Sequence, residues 1–159
     1  MLTVVVAARD EAASLPLLHP RIAAALSRVY GLRTRVLYVD YGSTDDTWRV
    51  VARLAHEDPQ VVGLRLERSV GQTGALCAGF AEARGAIVIS MDDDLEIDPR
   101  RLDRFVTAIR NGAEFASGKR VGPRPLGRAA CSWLFNARLR SWGVPFEDAG
   151  CGFNAMTQD

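Results

Sequence analysis

A chain of 159 residues, 48% hydrophobic and 25% charged, has the make-up of one globular domain, and at that size it buries about 70% of its unfolded surface. These proportions exclude a disordered tail, a collagen-like repeat and a disulfide miniprotein. Twenty basic residues against nineteen acidic ones leave a net charge of +1, so no overall field draws the chain to nucleic acid or to an anionic membrane, and any anion site is local.

Short apolar runs rich in Val, Ile and Leu alternate with longer segments of helical period, the pattern of an α/β domain. In chain order the sequence predicts strands at 2–8, 34–39, 61–66, 86–91 and 114–118, with helices at 14–30, 45–55, 72–84 and 99–111 between them. The near-continuous apolar character of the strands predicts a mostly parallel sheet covered by helices on both faces. The first run is broken by Arg9, Asp10 and Glu11 and reads as a strand rather than a signal-peptide core. No apolar stretch approaches the roughly 18–20 residues that cross a bilayer.

Beyond residue 118 the pattern changes. Residues 121–127 are dense in turn formers, 128–142 read as an amphipathic helix carrying Trp133, Leu134, Phe135, Leu139 and Trp142, and 146–156 return as a short extended segment. Those aromatics read as core rather than membrane anchor. Cys77, Cys131 and Cys151 are odd in number and widely spaced, which fits neither a disulfide framework nor a zinc site, so a reducing cytosol is the expected compartment. His19 and His56 have no metal-ligand spacing and are assigned to structure.

Ligands of open α/β sheets gather beyond the carboxyl ends of the strands. Polar clusters stand at three of those ends: Arg9-Asp10-Glu11, then Asp40-Tyr41-Gly42-Ser43-Thr44-Asp45-Asp46, then Asp92-Asp93-Asp94. In extended chain Asp92 and Asp94 share a side and Asp93 points away. Two carboxylates held that close favour a divalent cation, and Mg2+ or Mn2+ with one or two protein carboxylates completes its shell with water and phosphates, so the pair points to a metal-diphosphate site. Asp98-Pro99 reads as a helix cap.

These motifs, together with Arg68-Ser69-Val70-Gly71-Gln72-Thr73-Gly74-Ala75 and Asp148-Ala149-Gly150-Cys151-Gly152-Phe153, resemble the family 2 glycosyltransferases over essentially the whole chain. Within that family the similarity leans to the polyprenyl- and dolichyl-phosphate sugar transferases. The resemblance implies a Rossmann-like GT-A fold and a single catalytic domain over 1–159. It implies transfer of a sugar from a nucleotide diphosphate donor with inversion, dependent on Mg2+ or Mn2+. It also implies a polyprenyl phosphate or sugar acceptor and action in the cytoplasm at the inner face of the membrane.

Carried onto this sequence, the resemblance places Glu11 and Asp40 at the nucleoside, with Asp40 on the base. Asp92 lies near the ribose and diphosphate, Asp94 ligates the metal with Asp92 beside it, and Gln72 packs next to the donor. Arg120 and Arg128 stand where basic residues meet donor or acceptor phosphates, a task that suits the guanidinium fork. Glu147 and Asp148 stand where inverting members place their catalytic carboxylate. A sugar hydroxyl acceptor needs such a base, whereas a polyprenyl phosphate is already anionic and needs none.

Several positions depart from the family pattern. Ala7, Arg9 and Asp10 stand where the family has proline, tyrosine and asparagine, which removes the aromatic that in the family lies against the base, and Tyr41, standing where a second aspartate is usual, is expected to restore some of that stacking. Ser69 replaces an asparagine, Asp93 a small residue and Asn154 a basic one. These changes bear on which donor is taken rather than on the class of reaction. Two rival readings are a nucleotidyltransferase, which releases pyrophosphate, and a catalytically idle nucleotide-sugar-binding module. Relatives continue past the position of Met156, so the expectation is a donor-binding fragment lacking its C-terminal elements, prone to dimerise or to adhere to a membrane surface, and poor at transfer.

Overall fold

In the computed structural model, which describes residues 1–93, 98–118 and 152–158, the alternation of the sequence becomes a six-stranded sheet. The elements in chain order are β1 (Leu2–Ala8), α1 (Leu15–Leu26), β2 (Thr34–Tyr41), α2 (Thr47–Glu57), β3 (Val61–Leu66), α3 (Gly71–Glu82) and β4 (Ile87–Met91). A single 3-10 turn at Pro99–Arg101 leads into α4 (Leu102–Arg110), followed by β5 (Phe115–Ser117) and β6 (Asn154–Thr157). The sheet order is β3-β2-β1-β4-β6-β5. Strands β1 to β4 run parallel, and β6 lies antiparallel between β4 and β5.

All seven residues of β1 are buried, because both faces of the strand are covered. Leu2, Val4, Val6 and Ala8 join Leu15, Leu18 and Ile22 of α1, Val51 and Leu54 of α2, and Leu102, Phe105 and Val106 of α4 in one core. Val5 and Ala7 face the other way, with Leu37, Val39 and Val88, onto Ala75 of α3. Helix α3 sits so near the sheet that a methyl on Gly79 would lie 2.4 Å from Val5 Cγ1.

β1 and β3 have the bounds that the sequence predicts, and β2 runs two residues further because Asp40 still pairs with Ala8 on one side and Arg65 on the other. Helix α1 ends four residues early. At its end the ladder tightens into turns, from Arg28 N–H to Ala25 O (3.2 Å) and from Val29 N–H to Leu26 O (2.9 Å), which tucks Val29 into the core and swings Tyr30 outward. Asp98 caps the turn after it, accepting from the Arg100 N–H at 3.1 Å, as its place before Pro99 predicts. Of the extended segment expected at 146–156, residues 146–151 lie outside the described residues, and the described end forms β6, four residues long and inserted within the sheet. The turn-rich stretch 121–127 and the helix expected at 128–142 lie outside the described residues.

His19 of α1 is nearly buried, with Nδ1 3.2 Å from the Tyr38 hydroxyl and Nε2 3.4 Å from an Asp58 carboxylate oxygen. Burial pushes the imidazole below its ordinary value, and the Asp58 charge offsets part of that. The unfolded chain therefore binds this proton at a pH where the folded chain refuses it. The stability that neutral His19 contributes is complete above pH 6.5 and is lost as the pH falls through the depressed folded value. Urea unfolding is expected to show the midpoint falling more steeply between pH 7 and pH 5 in the native sequence than in His19→Gln; parallel slopes would show that the imidazole titrates alike in both states.

Candidate functional site

The chain builds β1, β2 and β3 outward in one direction and then crosses back to place β4 on the other side of β1. The carboxyl ends of β1 and β4 therefore flank the switch point, where open α/β sheets leave a crevice. The loops leaving β1, β2 and β3 and the start of α3 all rise at that edge.

The loop after β1 and the loop after β2 are bound to each other reciprocally. Asp10 takes φ +57°, a conformation that Asp adopts more readily than most residues, and its Oδ1 accepts from the Thr44 N–H at 2.7 Å and the Thr44 hydroxyl at 3.0 Å. In return the Ser43 hydroxyl accepts from the Asp10 N–H at 3.0 Å and the Thr47 hydroxyl from the Glu11 N–H at 2.7 Å. Asp45 accepts from the Ala12 N–H at 3.1 Å and from the Thr47 N–H at 2.9 Å. Hydrogen bonds from the Thr44 backbone hold the Asp10 carboxyl below its usual range, and the Thr47 hydroxyl does the same for Asp45. Both groups thus support the clasp in the ionised state and release it only in acid.

A third loop joins through Arg9, whose guanidinium donates to the Ser69 hydroxyl at 3.0 Å. Gly42 makes the approach possible: at φ +85° it lies so close that a Cβ would be 2.8 Å from the Ser69 nitrogen. The fourth strand end is tied in by Gln72, in the first turn of α3, whose amide donates to Asp92 Oδ1 at 2.9 Å. Asp92 also lies directly against Gly152, where a Cβ would fall 2.0 Å from its Oδ1. Gly152 is held there by its carbonyl, which accepts from the Ser90 hydroxyl at 3.0 Å, and by the pairing of Asn154 with Ser90.

The residues expected at the site divide into four groups. Gln72 and Asp92 are brought together at the end of β4. Glu11 stands at the start of α1, where its carboxylate accepts from the Ser14 hydroxyl. Asp40, expected to meet a base, has no exposed surface: its Oδ1 accepts from the Ser43 N–H at 3.0 Å and its Oδ2 faces Arg65 Nε at 3.6 Å. Arg65 in turn lies over the Trp48 ring, 5.6 Å from its centroid. Asp94, Arg120, Arg128, Glu147 and Asp148 lie outside the described residues. Among the described residues no group of three or more His, Cys, Asp or Glu is placed to hold a metal ion. Asp92 offers hard oxygen donors at a strand end, which suits Mg2+ or Mn2+ once a second carboxylate joins it.

Sequence reasoning left two features unassigned, the laced clasp and the contact of Gly152. The clasp residues Asp10, Ser43, Thr44, Asp45 and Thr47 are the Asp, Ser and Thr that ordinarily satisfy turns locally, and here they bond across two loops instead. The signal available was that both loops carry such residues directly after adjacent strands. Gly152 carried no signal for its contact with Asp92. Tyr41 lies half-buried at the end of β2, its phenol pushed up by burial and then by the Asp93 carboxylate.

The model of a family described as Glycosyl transferase family 2 matches residues 3–128. An undecaprenyl-phosphate 4-deoxy-4-formamido-L-arabinose transferase of Aeromonas hydrophila is 32% identical over 158 residues, taking in 98% of this chain and 48% of that protein. The chain spans about half the length of the curated relatives it matches. Among solved structures, glucosyl-3-phosphoglycerate synthase from Mycobacterium tuberculosis, in complex with Mn2+, UDP and glucosyl-3-phosphoglycerate, has a TM-score of 0.74 at 21% identity, covering 99% of this chain and 56% of that one. A mannosyltransferase from Pyrobaculum calidifontis, in complex with GDP-Man and Mn2+, has a TM-score of 0.60 at 26% identity, covering 74% of this chain and 35% of that one.

Proposed function

This chain belongs to glycosyl transferase family 2 and has the GT-A fold, and on that footing we propose that it transfers a sugar, with inversion, from a nucleotide diphosphate sugar to a polyprenyl phosphate. The observation that carries the proposal is the convergence at the switch point, where Gln72 fixes Asp92 at 2.9 Å beside the laced loops after β1, β2 and β3. Two comparisons support it: the relative named for an undecaprenyl-phosphate acceptor and the neighbours that hold Mn2+ with UDP or GDP-Man.

In this reading Asp92 and Asp94 hold a Mg2+ or Mn2+ ion, which when bound offsets the negative charge that grows on the departing nucleoside diphosphate. Gln72 keeps the Asp92 carboxylate turned toward that position. The clasp between the first two loops fixes the floor of the donor site before any ligand arrives, so little ordering is left to be done on binding. Glu11 approaches the nucleoside, and Arg120 and Arg128 meet phosphate oxygens of donor and acceptor. The acceptor phosphate attacks the anomeric carbon from the side opposite the leaving diphosphate. Because its oxygen is already anionic, Glu147 and Asp148 orient the reacting groups and need not remove a proton. A lipid acceptor puts the reaction at a membrane surface, which in this reading is the inner face.

The test is incubation of the chain with Mn2+, undecaprenyl phosphate and a panel of UDP-, GDP- and dTDP-sugars. Release of nucleoside diphosphate with formation of an inverted glycolipid is expected. Release of pyrophosphate from a nucleoside triphosphate would make it a nucleotidyltransferase, and binding of donor without turnover would make it an idle module. A second prediction uses Gly152. In Gly152→Ala the new methyl and the Asp92 carboxylate compete for one space, so Asp92 turns from Gln72 and Mn2+-dependent donor binding is expected to weaken about tenfold or more, as loss of a ligand's supporting partner does. Calorimetry with and without Mn2+ reads this directly; equal affinities in the two proteins would show that Asp92 is not a ligand.

A further inference from the structure

We propose that the base of the donor stacks on Tyr41 and is not read at its edge by Asp40, so that this chain takes nucleoside diphosphates with little discrimination among bases. The inference rests on the donor reading above and names the contact that sets donor choice.

Asp40 and Tyr41 are adjacent on β2 and so face opposite sides of the sheet. Asp40 lies on the side of α2, in register with Arg65, and both of its oxygens are enclosed. A base cannot reach them unless Arg65 and the turn at Ser43 open. Tyr41 is the last residue of β2, on the side of α3, where it packs against the core formed by Val5, Val39 and Ala75 while part of its surface stays open.

What surrounds the Tyr41 ring is polar and charged. β2 lies between β1 and β3, so the hydrogen bond from Arg9, after β1, to Ser69, after β3, spans the end of β2 above Gly42. Burial raises the phenol first, and Asp93, after β4, is near enough for its carboxylate to raise it further; Arg9 opposes the rise, and Glu11 and Asp10 add to it. The phenol therefore stays protonated at neutral pH and is a donor. An aromatic face bordered by a guanidinium and carboxylates suits a flat heteroaromatic ring that carries both donors and acceptors on its rim. Stacking accepts any base, because every base has a π-face.

The experiment is calorimetric titration of the chain with UDP, GDP and dTDP in Mn2+, with inorganic pyrophosphate as the baseless probe. The three diphosphates are expected to bind within about fivefold of one another. Tyr41→Leu is expected to weaken all three roughly five- to hundredfold while pyrophosphate is unaffected, the loss typical of one stacked base. Tyr41→Phe, which keeps the ring, is expected to keep the affinity. In Tyr41→Trp, nucleoside diphosphate should quench the new indole and pyrophosphate should not. Unchanged UDP affinity in Tyr41→Leu, an equal loss for pyrophosphate, or a hundredfold preference for one base would each overturn the inference. Failure of the native chain to bind any nucleoside diphosphate would overturn the donor reading beneath it, a result separate from all of these.

Discussion

Asp94→Ala is expected to abolish Mn2+-dependent binding of a nucleotide sugar while the chain remains folded. The residue stands two positions after Asp92, and in the donor reading the pair supplies the hard oxygen donors that Mg2+ and Mn2+ prefer. Removing a partner that only supports a metal ligand already costs about ten- to a hundredfold in affinity, so loss of the ligand itself should reach a hundredfold or more. Circular dichroism and thermal unfolding check the fold, and calorimetry with and without Mn2+ checks the site. Donor affinity that is the same in mutant and native chains would remove the metal from the mechanism.

The second large effect is expected at Gly42, on stability. Its φ of +85° is one that an alanine adopts only at a cost of about 1–2 kcal/mol. The new methyl would also lie 2.8 Å from the Ser69 nitrogen and 3.2 Å from the Arg68 carbonyl carbon. Both are main-chain atoms, so no side chain can rotate out of the way, and such overpacking costs about 1–3 kcal/mol. Together these predict a melting temperature lower by on the order of 10 °C for a chain of this size. They also predict loss of the Arg9–Ser69 hydrogen bond that depends on the same approach. A melting curve unchanged in Gly42→Ala would show that the backbone at 68 and 69 gives way freely.

The first four strands and their helices are legible because local chemistry decides them: apolar runs of five to seven residues make strands, and helical periods between them make the covering layers. The place of β6 is not legible. Asn154–Thr157 is short and weakly patterned, and what defines it is pairing with β4 and β5, a non-local fact of register. The same limit governs the site. That Gln72 begins a helix and Asp92 ends a strand follows from the sequence, and both meet at the switch point as the topology requires. Asp40 looks like a site residue because it follows an apolar strand, yet its register opposite Arg65 leaves it with no exposed surface. Alternation says that Asp40 and Tyr41 face opposite ways; only packing says which side is open. Asp10 and Asp45 look like ordinary turn residues until the two loops are seen to be neighbours.

The insertion of β6 beside β4 imposes a delay on synthesis. Ile87–Met91 is a buried strand, apolar but for Ser90, and the segment that covers one of its edges begins about 60 residues later in the chain. At translation rates of roughly 5–20 residues per second, that edge is available for about 3–12 s after β4 has emerged. An apolar strand with open main-chain donors and acceptors is a template for pairing with another nascent chain. Slow elongation through 92–153 would therefore lower the yield of folded protein, and a chaperone that occupies the β4 edge during that interval would raise it.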